Sequence, residues 1–249
     1  MASKIKTVMI AQAKPTDENS PYFALGKKWN LKMEFRNFIR IEGHSVSEFR
    51  KQNLDPLKFT AVILTSKHAV DHYFRICKEM RIELPPDMKY FCVGETTAKY
   101  LQKYITIRKR KLFVGEKTAE DLIDLVKKNT KDKYIFPCGN LHRTELTNYM
   151  HQNGYELKEA IVYQTVPEDL TDMKELKFDL ICFFSPSAID SLFKNFPNFE
   201  QGETRVAVFG PTTSKAAIDT GLRVDIEAPL PNMPSMTAAI ESYLKVSNK

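Results

Sequence analysis

The chain lacks the features that place a protein in a membrane or a secretory pathway. No apolar run among its 249 residues approaches the roughly 20 residues that a membrane-spanning helix needs. The amino-terminal stretch MASKIKTVMIAQ has too short an apolar run for a signal peptide. We therefore expect a cytoplasmic protein without a membrane segment.

Cysteine is scarce and scattered. The chain has four cysteines, and no two of them have CxxC spacing. Most lie in or beside strand-like runs, which favours small buried side chains over metal or redox chemistry. The four are Cys77, Cys92, Cys138 and Cys182.

The motifs of common cofactor and hydrolase sites are also missing. The sequence has no GxxxxGK[ST], GxGxxG or GxSxG motif and no metal-type cluster. His68 and His72 have a spacing that suits a metal, but no third ligand is in view. We expect surface or half-buried histidines there and no cofactor.

Charge is unbalanced towards the positive, with a net charge of +6. This favours anionic partners. The densest basic run, Arg108 to Lys111, has apolar neighbours in alternation and is typical of an exposed strand or loop. The net charge alone leaves nucleic acid, lipid and a small polyacid open as partners. Nucleic-acid binding would need a broader patch with interleaved aromatic residues, so we expect no nucleic acid.

What the sequence does contain is an internal repeat. SKHAVDHYF, beginning at Ser66, resembles SPSAIDSLF, beginning at Ser185. VGETTAK resembles FGPTTSK, and a weaker pair sets Thr118 and Ser235 before helical stretches. The three pairs occur in the same order at nearly constant spacing, which indicates a duplicated unit of about 117 residues.

Within each repeat, short apolar runs alternate with amphipathic stretches. FTAVILT, MKYFCVG, KYIFPC, FDLICFFS and RVAVFG are typical of strands that are covered on both faces of a parallel sheet. Each precedes a helical pattern, so the fold class is α/β. The segment KYIFPCGN to VYQT is the nearest analogue of the amino-terminal segment. This predicts a discontinuous first domain, 1–38 plus 167–249, and an inserted second domain, 39–166, with two chain crossings side by side and a cleft between the domains.

Hydroxyl, glycine and proline residues follow the predicted strands. In a parallel α/β sheet, ligands bind beyond the carboxyl ends of the strands. Ser and Thr there cap helices, and the remaining N–H groups attract anions. Each position taken alone is explained as a cap, whereas the duplicated set favours a site for a small, multiply anionic ligand. Tyr163, at a predicted domain crossing, either donates a proton to that ligand or packs at a hinge.

These residues resemble the uroporphyrinogen-III synthase family. The most specific segments are FFSPSAIDSLF, VAVFGPTTSKAAIDTG, FCVGETTA and GYELKEAIVYQTVP, in the family's order and spacing. The resemblance implies two flavodoxin-like domains joined by a two-stranded β-ladder. It also implies a monomeric lyase of haem biosynthesis that cyclises hydroxymethylbilane, inverting its last pyrrole ring and losing water, with no cofactor.

The resemblance also assigns site residues. Tyr163 corresponds to the family's candidate for assisting departure of the hydroxyl group. It places substrate carboxylates at the strand-end residues Thr65, Ser66, Thr97, Ser185, Ser187, Thr212 and Thr213. The strand-end pattern itself adds Thr96, Gly139 and Asn140 as expected binding residues.

One position departs from the family pattern. Many members have an arginine after the first strand, where this chain has Lys14, and lysine cannot make the two-pronged contact of a guanidinium. Lys14 is the candidate to supply that charge. The alternative function is a non-catalytic two-domain receptor for an anionic metabolite, because fold alone does not establish activity.

Overall fold

The chain divides into two compact units in the computed structural model, which describes residues 4–106, 108–116, 118–173 and 176–248. Unit 1 is Met1–Arg40 with Val166–Lys249, and unit 2 is Ile41–Thr165. This division differs by one or two residues from the predicted one. The cleft and the two-stranded link stay predictions.

Strands and helices alternate along the described chain. The strands are β1 (Thr7–Ile10), β2 (Lys32–Phe35), β3 (Ile39–Gly43), β4 (Ala61–Leu64), β5 (Lys89–Cys92), β6 (Leu112–Val114), β7 (Tyr134–Gly139), β8 (Leu157–Pro167), β9 (Leu180–Phe183), β10 (Arg205–Phe209) and β11 (Ile226–Ala228). The helices are α1 (Pro21–Trp29), α2 (Val46–Lys51), α3 (Lys67–Glu79), α4 (Gly94–Leu101), α5 (Ile123–Lys127), α6 (Glu145–Gln152), α7 (Pro186–Asn195), α8 (Pro211–Asp219) and α9 (Met236–Ser247).

The sheet of unit 1 has the order β11-β10-β9-β1-β2, and its paired strands are parallel. If the five strands are numbered from 1 to 5 along the chain and the sheet is read from β2, the order is 2-1-3-4-5, as in flavodoxin-like folds. Such an order places its switch point between β1 and β9, where the chain turns from one side of the sheet to the other.

The sheet of unit 2 has the order β3-β8-β7-β4-β5-β6. If β7 is counted as the first strand, β8-β7-β4-β5-β6 again has the order 2-1-3-4-5, and these strands pair in parallel. The analogy between the segment that begins at KYIFPCGN and the amino-terminal segment is therefore confirmed by topology. β3 is an additional strand at the edge of this sheet.

Both sheets are covered by apolar side chains on both faces. Along β4, Val62 and Leu64 pack into one cluster, whereas Ala61 and Ile63 pack into another. β9 divides in the same way between two clusters of unit 1. This explains why the strands have nearly unbroken apolar sequences rather than alternating ones.

Serine caps begin the principal helices, as predicted. Ser66 Oγ accepts a hydrogen bond from Ala69 N at 3.1 Å, and Ser185 Oγ accepts one from Ala188 N at 3.3 Å. The two serines have nearly the same backbone conformation, with φ −155° in both. Pro186 is the first residue of α7, where no N–H partner is lost.

Two sequence patterns turned out differently. Thr118 does not cap a helix: α5 begins only at Ile123, after a short 3-10 turn. The strand-like segment LKMEFRNFIRI is divided between β2 and β3, which belong to different sheets, whereas its analogue β8 is one continuous strand.

Within the described ranges, the structure shows whether any helix could span a membrane and what state the cysteines are in. No helix there has the length and apolar character needed to cross a bilayer. All four cysteines are buried and free, and burial raises the pKa of the Cys92 and Cys138 thiols to about 12. The thiols are therefore small apolar side chains of the core, as expected.

Candidate active site

The predicted site residues of unit 1 follow three neighbouring parallel strands. Lys14 follows β1, Ser185 and Ser187 follow β9, and Thr212 and Thr213 follow β10. Because β10, β9 and β1 are adjacent in the sheet, these residues share its carboxyl edge. The helices α7 and α8 begin at the same edge.

The threonine pair at the start of α8 has one exposed and one buried member. Gly210 precedes the helix with a φ of +89°, a conformation that a side chain would strain. Thr212 is exposed, whereas Thr213 is only 1% exposed and packs inside the unit. Thr212 and the free N–H groups of the first helical turn are therefore the accessible part of this strand end.

Lys14 is exposed on the loop after β1. Its Nζ lies 6.0 Å from the centroid of the Phe23 ring. Among the described residues it forms no ion pair. Its charge is thus available to an anion at the carboxyl edge of unit 1.

Unit 2 gathers its predicted residues in the same way. The strands β7, β4 and β5 are neighbours in the sheet. Gly139 is the last residue of β7 and Asn140 follows it; Thr65 and Ser66 follow β4, and Thr96 and Thr97 follow β5. At the start of α4, Gly94 has a φ of +74°, Thr96 is exposed and Thr97 is 6% exposed. The start of α4 therefore repeats the arrangement at the start of α8.

Asn140 is held between β7 and β8. Its N–H donates to Tyr163 O at 3.2 Å, and its Oδ1 accepts from Thr165 N at 2.9 Å. A register shift between Cys138 and Gly139 makes this connection possible by displacing the end of β7 against β8. These two bonds join the end of β7 to the backbone around Tyr163.

Tyr163 lies on β8 directly beside the end of β7. A Cβ on Gly139 would approach Tyr163 Cε2 to 2.5 Å, so only glycine leaves room for the ring. The ring centroid lies 5.9 Å from that of His68 and 5.5 Å from that of His72. Within the described residues no protein group forms a hydrogen bond with the half-buried phenol, which leaves its hydroxyl available to a ligand.

His72 gives this corner of the site a neutral aromatic wall. Burial, followed by the nearby charge of Arg75, lowers the pKa of His72, so the imidazole is neutral at neutral pH. A Cβ on Gly43 would approach His72 Nδ1 to 2.5 Å, so glycine is required behind the imidazole as well. Arg75 donates to His44 O at 2.6 Å and pairs with Glu79 at 3.0 Å.

The histidine contacts were missed in the sequence, although His68 and His72 were noted for their spacing. No cluster of three metal-ligating side chains occurs in the part of the chain that the structure describes. His68 is exposed and His72 half-buried, as expected. Helix α3, which carries both histidines, follows β4. Because β4 lies next to β7 in the sheet and two strands from Tyr163 on β8, this strand order could have indicated that the histidines lie near Tyr163.

Each unit therefore presents hydroxyls, glycines and free backbone N–H groups at the carboxyl edge of a parallel sheet. Helix N-termini there carry partial positive charge, and carboxylates are suitable ligands for them. This arrangement defines an α/β protein with two flavodoxin-like units, each of which gathers hydroxyls and helix N-termini at one edge of its sheet.

Comparison with known proteins specifies the family. The model of the family "Uroporphyrinogen-III synthase HemD" matches residues 30–238. The chain belongs to the uroporphyrinogen-III synthase family, whose members are cyclising lyases of haem biosynthesis.

Relatives agree over most of the chain. A uroporphyrinogen-III synthase of Chlorobaculum parvum is 25% identical, and the match covers 97% of this chain and 100% of that protein. A uroporphyrinogen-III synthase of Saccharomyces cerevisiae is 24% identical over 61% of this chain and 63% of its own length.

Solved structures share the fold. The uroporphyrinogen-III synthetase of Helicobacter pylori has a TM-score of 0.63 at 18% identity and covers 97% of this chain and 100% of that one. A mutant uroporphyrinogen III synthase of Thermus thermophilus has a TM-score of 0.57 at 17% identity, over 96% of this chain and 99% of that one.

Proposed function

We propose that this protein cyclises hydroxymethylbilane to uroporphyrinogen III, inverting the last pyrrole ring and releasing water. Membership of the family supports the reaction. One observation supports the assignment of roles to particular residues: in each unit, the candidate residues lie along the carboxyl edge of the sheet. In the same proposal the enzyme is a cytoplasmic monomer that needs no cofactor.

The strand ends hold the carboxylates of the substrate. Thr96 and Thr212 offer exposed hydroxyls and the N–H groups of two helix starts, while Thr97 and Thr213 are buried beneath them and keep these starts in place. Ser66 and Ser185 already accept bonds from their own helices. Their contribution to binding is therefore the capped, ordered helix terminus rather than a free hydroxyl.

Tyr163 assists loss of the hydroxyl group. Its phenol donates a proton to the hydroxyl of the hydroxymethyl group as the carbon–oxygen bond breaks, which releases water and leaves a cationic azafulvene. The last ring attacks this cation to form a spiro intermediate, then opens and closes in the inverted sense. The proton lost when the ring regains its aromaticity restores the phenol, so the reaction is balanced without a cofactor.

Positioning is the main source of catalysis in this scheme. Several carbon atoms of the substrate could attack the reactive cation, so the substrate must be held bent for the correct one to react. Oriented reactants lower the barrier by several kcal/mol. Multiple fixed carboxylates supply that orientation. The neutral His72 imidazole beside Tyr163 adds no positive charge that would oppose the cation.

Product analysis tests the reaction. The protein is mixed with freshly prepared hydroxymethylbilane, and the oxidised products are separated by chromatography. We expect isomer III in excess. Formation of isomer I alone at the uncatalysed rate, together with saturable binding of the substrate, would instead identify the receptor for an anionic metabolite.

Replacement of Tyr163 tests the proton donor. Tyr163→Phe removes the hydroxyl and keeps the ring against Gly139, so we expect kcat to fall about 100-fold with little change in KM. Tyr155→Phe, a change of another half-buried tyrosine of unit 2, is the control and should retain full activity. Equal kcat for Tyr163→Phe and the unmodified enzyme would remove Tyr163 from the catalytic step.

A further inference from the structure

Unit 2 has a cavity away from the strand ends. It has a volume of about 760 Å³, which is within the range of small-molecule sites. Its wall includes Met88 and Tyr90, at the amino end of β5, whereas the predicted site residues follow the carboxyl end of that strand. At about 3.3 Å per residue, the four residues from Tyr90 to Gly94 separate the two places by about 13 Å.

Part of the cavity floor is aromatic. Phe74 and Tyr104 stack with ring centroids 5.1 Å apart and planes at 18°. Asp71 accepts hydrogen bonds from Tyr104 Oη at 2.5 Å and from Tyr100 Oη at 3.0 Å. The bond to Asp71 raises the pKa of Tyr104 to about 12, so the phenol stays uncharged. Asp71 keeps its negative charge, but each of its carboxylate oxygens already accepts a bond from a phenol, and the stacked rings offer a flat surface.

The rim of the cavity is basic. Lys78, Arg81, Arg108 and Lys111 line it, and none of them forms an ion pair within the described residues. Arg75, the remaining cation of the wall, is occupied by Glu79 and by His44 O. Asp71 and Glu83 are the acidic residues among the described residues of the wall, fewer than its cations. Stacked aromatic rings beside an excess of cations are complementary to a molecule with an aromatic body and an anionic edge.

Cys77 is the one thiol among the described residues of the wall. Burial raises the pKa of that thiol to about 12, which keeps it protonated and unreactive. We propose that this cavity is a binding site for an aromatic amphipathic anion, separate from the strand-end site. Binding there is independent of the proposed reaction and requires no substrate.

The probe is 8-anilinonaphthalene-1-sulfonate, compared with N-phenyl-1-naphthylamine, which has the same rings and no sulfonate. Fluorescence and calorimetric titration of the full chain should give one saturable site for the sulfonate. The neutral compound should bind about tenfold more weakly, because it lacks the charge-assisted contacts. Equal affinity for the two compounds would refute the role of the basic rim, and a lack of saturable binding would refute the site.

Variants locate the bound probe. Arg81 has a φ of +57°, which asparagine tolerates, so the double variant Arg81→Asn with Arg108→Gln removes two charges without added strain. We expect about tenfold weaker binding. The control, Arg50→Gln with Lys58→Gln, removes two exposed charges elsewhere in unit 2 and should bind normally. Equal affinity of both double variants would place the probe elsewhere and overturn the proposal; circular dichroism verifies that each variant is folded.

Discussion

At the scale of single residues, the candidate site depends on contacts that leave no room for additional atoms. Tyr163 lies against the Cα of Gly139 on one side and has His68 and His72 as ring neighbours. Since His72 in turn lies against Gly43, two glycines determine where the phenol can be. Its position at the end of β7, beside the strand-end residues, makes Tyr163 the candidate proton donor.

Gly139→Ala tests this arrangement. The new methyl group would need to occupy the space of Tyr163 Cε2, so the ring must move and we expect kcat to fall about tenfold or more. Kinetics are measured in a double-mutant cycle with Tyr163→Phe. If Gly139→Ala lowers kcat by the same factor in the Tyr163→Phe variant as in the unmodified enzyme, its effect does not pass through the phenol hydroxyl.

His72 predicts a pH dependence of stability. The pKa of His72 is lowered in the folded protein. At a pH below the ordinary histidine pKa of about 6.5, the imidazole is therefore protonated in the unfolded chain but still neutral in the folded chain. The free energy of unfolding should therefore decrease as the pH falls from about 6.5, until the folded-state pKa is reached.

Urea denaturation between pH 7.5 and pH 5.5, both chosen around the ordinary histidine pKa of about 6.5, measures this effect. His72→Gln should lose less stability over this interval than the unmodified protein. His151→Gln, which changes an exposed histidine of α6, serves as the control. An unchanged pH dependence in His72→Gln would contradict the prediction.

At the scale of elements, the recurring module is a buried strand, a serine or glycine, and a helix. Ser66 and Ser185 begin equivalent helices with equivalent caps, and Gly94 and Gly210 begin the other equivalent pair with positive φ. The module aims the free N–H groups of each helix beyond the strand ends. The residues that order each helix terminus are therefore also the ones to which the proposed function assigns binding of substrate carboxylates.

Removal of a cap tests whether the serine orders the helix terminus. Ser185→Ala deletes the bond to Ala188 N, and we expect about 1 kcal/mol less stability to urea. Ser187→Ala, two residues later and without a capping bond, should leave the free energy of unfolding nearly unchanged. Equal destabilisation by both changes would mean that the cap contributes nothing specific.

At the scale of the whole molecule, an excess of positive charge accompanies the proposed polycarboxylate substrate. The net charge of +6 raises the local concentration of anions, an effect that salt screens. Lys14 is the exposed cation of the unit 1 edge, whereas Lys194 lies at the carboxyl end of α7, at the other end of that helix from Ser185.

Ionic strength should therefore act on KM more than on kcat. Between about 0.05 M and about 0.5 M salt we expect KM to increase several-fold, because the Debye length falls below the distances between charges. Lys14→Gln should weaken this dependence and Lys194→Gln should not. Steady-state kinetics provide the measurement, and a KM independent of salt would contradict an electrostatic role of the strand ends.

Much of the architecture was predictable because it depends on local patterns. Unbroken apolar runs such as LICF in β9 indicate strands buried on both faces. The segments SKHAVDHYF and GETT each have a similar segment later in the chain, which indicates a duplication. The prediction failed where the local pattern was ambiguous. LKMEFRNFIRI has one alternating pattern but forms two strands of different sheets, and Thr118 resembles a cap but does not act as one.

The sequence by itself determined the fold class, the repeat and the positions of the strand ends, because apolar periodicity and helix caps are properties of neighbouring residues. Only the tertiary structure decided that Thr212 is accessible and Thr213 buried, that His72 lies beside Tyr163, and that Gly139 makes room for the ring. These facts depend on contacts between residues far apart in the chain, which form only when the parallel strands come together in a particular register and leave no local signal in the sequence.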